Sequence, residues 1–177
     1  MRDIYKMNKY LSDVGYQGPN ILLILILLTF AKQDITNPYV YSVVIAWQFS
    51  SHLLNVFIKN TIKAPRPDSA QDPQFANLKP TLKNYLSIHK HYGMPSGHAQ
   101  AMFSLLIFIA LYFQNQWLTG IAIGQTLLTL WQRYETRRHS VKQLLAGSLL
   151  GSLVGFIFFK FFKRKFYIAD ADMITVL

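Results

Sequence analysis

The chain has 177 residues, enough for one domain, of which 51% are hydrophobic and only 15% charged, against about 25% charged in an ordinary soluble domain. Lys and Arg number 18 against 8 Asp and Glu, a net charge of +10, and with so much apolar sequence this excess points to a membrane protein with cationic ends, not to a nucleic-acid binder. No cysteine is present, which excludes a disulfide scaffold, thiolate metal sites and a cysteine nucleophile.

Arg2, Lys6 and Lys9 precede the first apolar stretch. Its core, Ile21 to Ala31, falls short of the roughly 20 residues that a crossing needs. A span over 14–31 is reached only by including Val14 to Asn20; a re-entrant helix and an uncleaved signal anchor are the rival readings, and no small-residue cleavage site is convincing. The Asn37-Pro38 turn opens a second span, 39–58, which Lys59 ends. Gln48, His52, Asn55 and Lys59 fall on one helical stripe. That stripe either hydrogen-bonds a neighbouring helix or forms a polar wall below a site at Lys59, and both readings require it to face protein.

Residues 68–92 are polar and interrupted by Pro73 and Pro80, so an extramembrane loop is expected, long enough to serve as a lid or a substrate-facing segment. Spans over 97–113 and 117–131 are joined by the short Gln114-Asn115-Gln116 turn and are therefore antiparallel neighbours. A fifth span covers 144–162. Gly147, Gly151 and Gly155 repeat every four residues, as do Gly120 and Gly124 in the preceding helix, a pattern that permits close backbone approach.

Five crossings place the N-terminal tail and the loops 59–96 and 132–143 on one face of the membrane. That face carries Arg2, Lys6, Lys9, Lys59, Lys63, Arg66, Lys79, Lys83, Lys90, Arg133, Arg137, Arg138 and Lys142; the other has Lys32, Lys160, Lys163, Arg164 and Lys165. The positive-inside rule alone makes the loop face cytoplasmic.

Three polar segments on that face hold residues suited to one anion. Lys59 ends a helix, while Pro65 and Pro67 force the chain around Arg66 into an extended path, so a point charge and a planar fork can converge on a phosphoryl group. Pro95 suits the first position of a helix. With no capping side chain at Met94, the amides of Ser96, Gly97 and His98 are then donors for an anion, with the Ser96 hydroxyl as a further one. His98 can give or take a proton near neutral pH. Arg133 follows the fourth span and His139 precedes the fifth, bringing a permanent cation and a nucleophile together. Gln143, four residues on, lies on the same helical side, where its carbonyl can accept Nδ1–H and leave Nε2 free to attack. His52, His89 and His91 have no comparable company. Asp68, Asp72 and Glu135 show no metal-ligand spacing.

Lys59 with Arg66-Pro67, then Pro95-Ser96-Gly97-His98, then Arg133 with His139 resemble the type 2 phosphatidic acid phosphatase superfamily, over roughly Leu53 to Gly155. The resemblance implies an all-α multi-pass membrane bundle, a single phosphatase domain over 1–177, and lipid phosphate hydrolysis without metal or organic cofactor. It implies that Lys59, Arg66, Ser96, Gly97 and Arg133 bind phosphate, that His139 is the nucleophile and that His98 is the general acid. The family has six spans where this chain shows five, Ser where Gln132 stands, and Asp where Gln143 stands. A neutral amide orients an imidazole but stabilises imidazolium less than a carboxylate does. A diphosphate offsets that weakness, because its leaving group is a phosphate ester with a second pKa near 6.

The residues Tyr92 to Gln100 and the His139-to-Gln143 spacing also resemble the dolichyl diphosphatase branch. The expectation is thus a polyisoprenyl diphosphate phosphatase working through a phosphohistidine. Its partners are the lipid substrate and the bilayer, not nucleic acid. By resemblance its site faces the lumen or periplasm, in the endoplasmic reticulum membrane or a bacterial inner membrane. A lipid monoester phosphatase and a non-catalytic lipid binder are the alternatives.

Overall fold

The computed structural model describes residues 2–33, 35, 37–67 and 92–167, with side chains from Lys9 to Phe166. The expected loop over 68–92 lies outside the described residues except for Tyr92. Six α-helices occupy the described chain: α1 (Arg2–Tyr16), α2 (Gly18–Lys32), α3 (Pro38–Ile62), α4 (Gly97–Phe113), α5 (Gln116–Glu135) and α6 (Val141–Phe162), the last continued by a π-helical turn over Lys163–Tyr167. A helix stands at each of the five expected spans. Among the described residues, only α3 and α6 are each long and apolar enough to cross a bilayer, which makes two spans, or three if α1 and α2 count as one; α4 is a shorter apolar helix, and α5 does not combine the length and hydropathy that a crossing needs.

The first span needs correction. A straight helix over 14–31 does not form: Val14 to Tyr16 belong to α1, which meets α2 at 60°, and the 15-residue α2 reaches spanning length only together with α1. Gly18 and Pro19 explain the break, since Gly opens the first turn of α2 and Pro takes a position whose N–H is not needed. A second correction concerns Lys59. It does not end its helix; α3 runs on to Ile62, and Lys63 closes it in the left-handed region at φ 52°, with Pro65 two residues on holding Ala64 out of helix.

Side-chain caps start the other helices. Asn37 accepts from the Tyr39 amide and Asn115 from that of Leu118, each satisfying an otherwise orphaned donor. Ser140 and Gln143 form a reciprocal capping box at the start of α6.

The central helix is α4, which touches α2, α3, α5 and α6. It lies closest to α6, and the glycine repeat explains how. A Cβ at Gly147, Gly151 or Gly155 would press on the carbonyls of Ser96, Gln100 and Ser104 respectively, so the two helices run parallel, matched every fourth residue. Gly120 and Gly124 differ: nothing lies within 4 Å of a Cβ built at either, so the packing expected there does not occur within the described chain. At the far ends of α2, α4 and α6, Phe30, Phe108, Tyr112 and Phe162 interlock, Phe30 stacking on Phe162 at 5.8 Å, while Trp47 of α3 stacks on Phe158 at 3.9 Å. This aromatic end anchors the bundle and leaves the other end for polar residues.

Candidate active site

The starts of α4 and α6 and the ends of α1, α3 and α5 meet around a cavity of about 810 Å³. Lys59, Arg66, Arg133 and Arg138 line it together with His98 and His139, and no Asp or Glu is among its described lining residues. Lys59, Arg133 and His139 are 4%, 6% and 2% exposed. Cations so deeply buried with no carboxylate are costly unless an anion joins them.

The first motif is folded back on itself. Pro65 pairs with Tyr92 as an isolated antiparallel bridge, and the Gly93 amide donates to the Ala64 carbonyl at 2.8 Å. This extended path carries Arg66 to the third motif, where its Nη1 donates to the Arg138 carbonyl at 3.2 Å and lies 3.5 Å from His139 Nε2.

The second motif departs from expectation. The helix begins at Gly97, two residues beyond Pro95, because Ser96 is itself the N-cap, its Oγ accepting from the Ala99 amide. The Ser96 amide donates to the Gln143 carbonyl at 3.0 Å, and Ser96 is fully buried. The Ser96 amide is therefore already bonded, which leaves Gly97 and His98 as the uncapped amides of the first turn. Gly97 lies close to Asn55, whose Oδ1 would be 3.0 Å from a Cβ there. Asn55 Nδ2 donates to Gln100 Oε1 at 2.7 Å and to the Pro95 carbonyl at 3.4 Å, while Gln100 Nε2 donates to the Ser51 carbonyl and hydroxyl.

The polar stripe on α3 therefore does both things expected of it. Asn55 ties helices together, and His52, to which sequence reasoning assigned no chemistry, lines the cavity wall.

In the third motif the chain turns sharply after α5. The amides of Arg138 and His139 both donate to the Arg133 carbonyl, at 3.1 and 3.2 Å, and Arg137 takes the left-handed conformation, φ 52°, that this turn needs. His139 Nδ1 faces Gln143 Oε1 at 3.3 Å, as the four-residue spacing predicts. Burial pushes the His139 pKa down to about 3, helped by the charges of Arg66, Lys59 and Arg133 and opposed by the Gln143 hydrogen bond. The ring is neutral at neutral pH, with Nε2 directed at the cations.

Gln143 does more than its spacing reveals. Its Oε1 also accepts from the Ser140 amide at 3.2 Å, its Nε2 donates to the Pro65 carbonyl at 2.8 Å, and its own carbonyl holds Ser96. One residue thus ties the three motifs together. A carboxylate could not donate to Pro65, so the amide fits this geometry as an Asp or Glu would not.

The structure also brings in residues that sequence reasoning missed. Tyr16 reaches the cavity from α1, its ring 5.4 Å from that of His98, and Arg133 Nη2 bonds His98 Nε2. Arg138, counted only as a face charge, joins the lining. Among the described residues, no group of three or more His, Asp or Glu gathers as a metal site would need.

Residues 37–167 match the PAP2 superfamily. The chain belongs to that superfamily. Among its relatives, the lipid A 4'-phosphatase of Bacteroides thetaiotaomicron is 23% identical over 155 residues, covering 88% of this chain and 68% of that protein. The dolichyldiphosphatase of Saccharomyces cerevisiae is 25% identical over 167 residues, 88% of this chain and 66% of its own. Lipid phosphate phosphatase gamma of Arabidopsis thaliana is 28% identical over 120 residues, 59% of this chain and 46% of its own. The chain thus spans about two thirds of the first two and under half of the third. No solved structure matches it. Every residue of the three motifs lies inside the PAP2 match, whereas α1 and α2 lie before it.

Proposed function

We propose that this protein is a membrane lipid phosphatase that removes the terminal phosphate of a polyisoprenyl diphosphate. The observation that carries the reading is the shared cavity, in which His98 and His139 stand among Lys59, Arg66 and Arg133 with no carboxylate in the described lining. A phosphoryl group bound there has its equatorial oxygens held by the three cations and the Gly97 and His98 amides. His139 Nε2 attacks phosphorus, and a P–N bond forms as the P–O bond to the lipid phosphate breaks. His98, once protonated, gives its proton to that leaving oxygen. Water then attacks the phosphohistidine, its proton passing back to His98, and inorganic phosphate departs. The lipid tail lies among the apolar helices, and the whole chain acts as one domain with the site on the lumenal or periplasmic face.

The diphosphate preference rests on Gln143 and on the relative named dolichyldiphosphatase. Relatives named for lipid A and for lipid phosphates favour a monoester as the second reading.

The test is phosphate release by purified protein in detergent with chelator present, comparing an isoprenyl diphosphate, phosphatidate and a lipid A 4'-phosphate. The expected result is at least a tenfold preference in kcat/KM for the diphosphate. His139→Ala should lose about 10³-fold or more and His98→Ala roughly 10²- to 10⁴-fold. Preference for a monoester would keep the phosphatase and move its substrate. Vanadate binding without release from any lipid would establish a binder in place of an enzyme.

A further inference from the structure

We infer that Tyr16, at the end of α1, is the positioning residue of the general acid: its ring seats both His98 and Arg133. The inference rests on the phosphatase reading and assigns a role to a residue outside the stretch that matches the family.

The tautomer of His98 follows from its neighbours. Arg133 Nη2 bonds His98 Nε2, and a guanidinium only donates, so Nε2 accepts and the ring proton of neutral His98 is on Nδ1. The Tyr16 ring stands beside the same imidazole, because α1 ends at Tyr16 and the chain bends there by 60° into α2.

The same ring meets Arg133. The Arg133 guanidinium carbon lies 4.7 Å from its centroid, within cation–π range, and the His98 ring lies against it at 42°.

The chain is shaped to deliver this residue. Gly15 lets α1 press onto α5, where a Cβ would meet the Leu128 carbonyl and Gln132 Cβ at 2.9 Å, and Gly18 does the same against Thr129. Gln125 Nε2 donates to the Val14 carbonyl at 3.0 Å, and Gln132 Nε2 reaches Ser12 Oγ at 3.4 Å. The helix that carries Arg133 is therefore the one that docks α1. Held between the Tyr16 ring and Arg133, the His98 imidazole keeps Nε2 on the Arg133 side of the cavity.

Leaving-group dependence separates positioning from packing. A phosphate ester whose leaving oxygen needs a proton depends on the general acid; one with a stable phenolate does not. The experiment compares kcat/KM for phenyl phosphate and p-nitrophenyl phosphate in wild type, Tyr16→Leu, Tyr16→Phe and His98→Ala. Tyr16→Leu should lose about tenfold on phenyl phosphate and less than threefold on p-nitrophenyl phosphate, the pattern of His98→Ala in milder form, since loss of the ring lets the His98 imidazole tilt out of place. Tyr16→Phe should restore both rates. Equal losses on the two esters, or no loss, would overturn the inference while leaving the phosphatase intact. A wild type inactive on these esters and on every lipid above would remove the phosphatase reading and this inference with it.

Discussion

Gln143 shows how one side chain can make a constellation rigid. It accepts from the His139 ring and the Ser140 amide, donates to Pro65 and, through its main chain, holds Ser96. Gly93 packs against the Gln143 side-chain amide so closely that a Cβ there would displace it. Gln143→Glu should therefore have two opposed effects. The added charge stabilises imidazolium, so the preference for diphosphate over phosphatidate should narrow severalfold, while loss of the bond to Pro65 should lower the thermal midpoint in detergent. An unchanged substrate ratio would mean that Gln143 does not set it. His139 gives a second residue-scale expectation. Its folded pKa lies near 3 and its ordinary value at 6.5, so between these the unfolded chain binds a proton that the folded one does not. Its contribution to stability is whole above about pH 6.5 and is lost as pH falls towards 3. Melting curves from pH 7 to 4 should show the decline, and vanadate should reduce it by compensating the cations.

The elements differ in how far local sequence could reveal them. Lys59, Arg133, His98 and His139 stand out because each is polar at the edge of an apolar run, and a membrane allows few other reasons for that; Arg66 stands out because Pro65 and Pro67 flank it. Pro95 and Ser96 are both good helix openers, and local sequence favours Pro95 as the first helical residue, two ahead of the observed start of α4. What decided between them, the Gln143 carbonyl waiting for the Ser96 amide, comes from 47 residues away. Tyr16 was invisible for a similar reason: its role depends on a 60° bend, and the local signals were only Gly15, Gly18 and Pro19. The glycines make the contrast measurable. Gly151→Ala should destabilise the protein by about 1–3 kcal/mol through the clash with Gln100, and lower activity because Gln100 supports Asn55. Gly124→Ala meets nothing and should be neutral, or stabilising by up to about 1 kcal/mol through helix propensity. Equal effects would contradict the parallel packing of α4 on α6.

For the whole molecule, the gathering of charge at one end changes how topology is read. Lys59, Arg66, Arg133 and Arg138 line the cavity, so under the proposed function they serve the substrate and drop out of the positive-inside vote. Sidedness has a direct test because the chain contains no cysteine. A single Cys replacing the exposed Glu135, at the site end of α5, should react with an impermeant maleimide from the periplasmic or lumenal side. Labelling from the cytoplasmic side alone would reverse the proposed orientation.

The meshing of α4 with α6 has a mechanical consequence. Carbonyls at 96, 100 and 104 sit in notches at 147, 151 and 155, so the next position at which the teeth engage is four residues away, about 6 Å along the axis. Smaller slips drive a carbonyl into a side chain. The pair therefore behaves as a detent, and the offset between the helix starts that carry His98 and His139 is set in whole steps, insensitive to small strains elsewhere in the bundle. Side chains that shape the tail-binding surface can then vary without detuning the distance across which phosphorus must move.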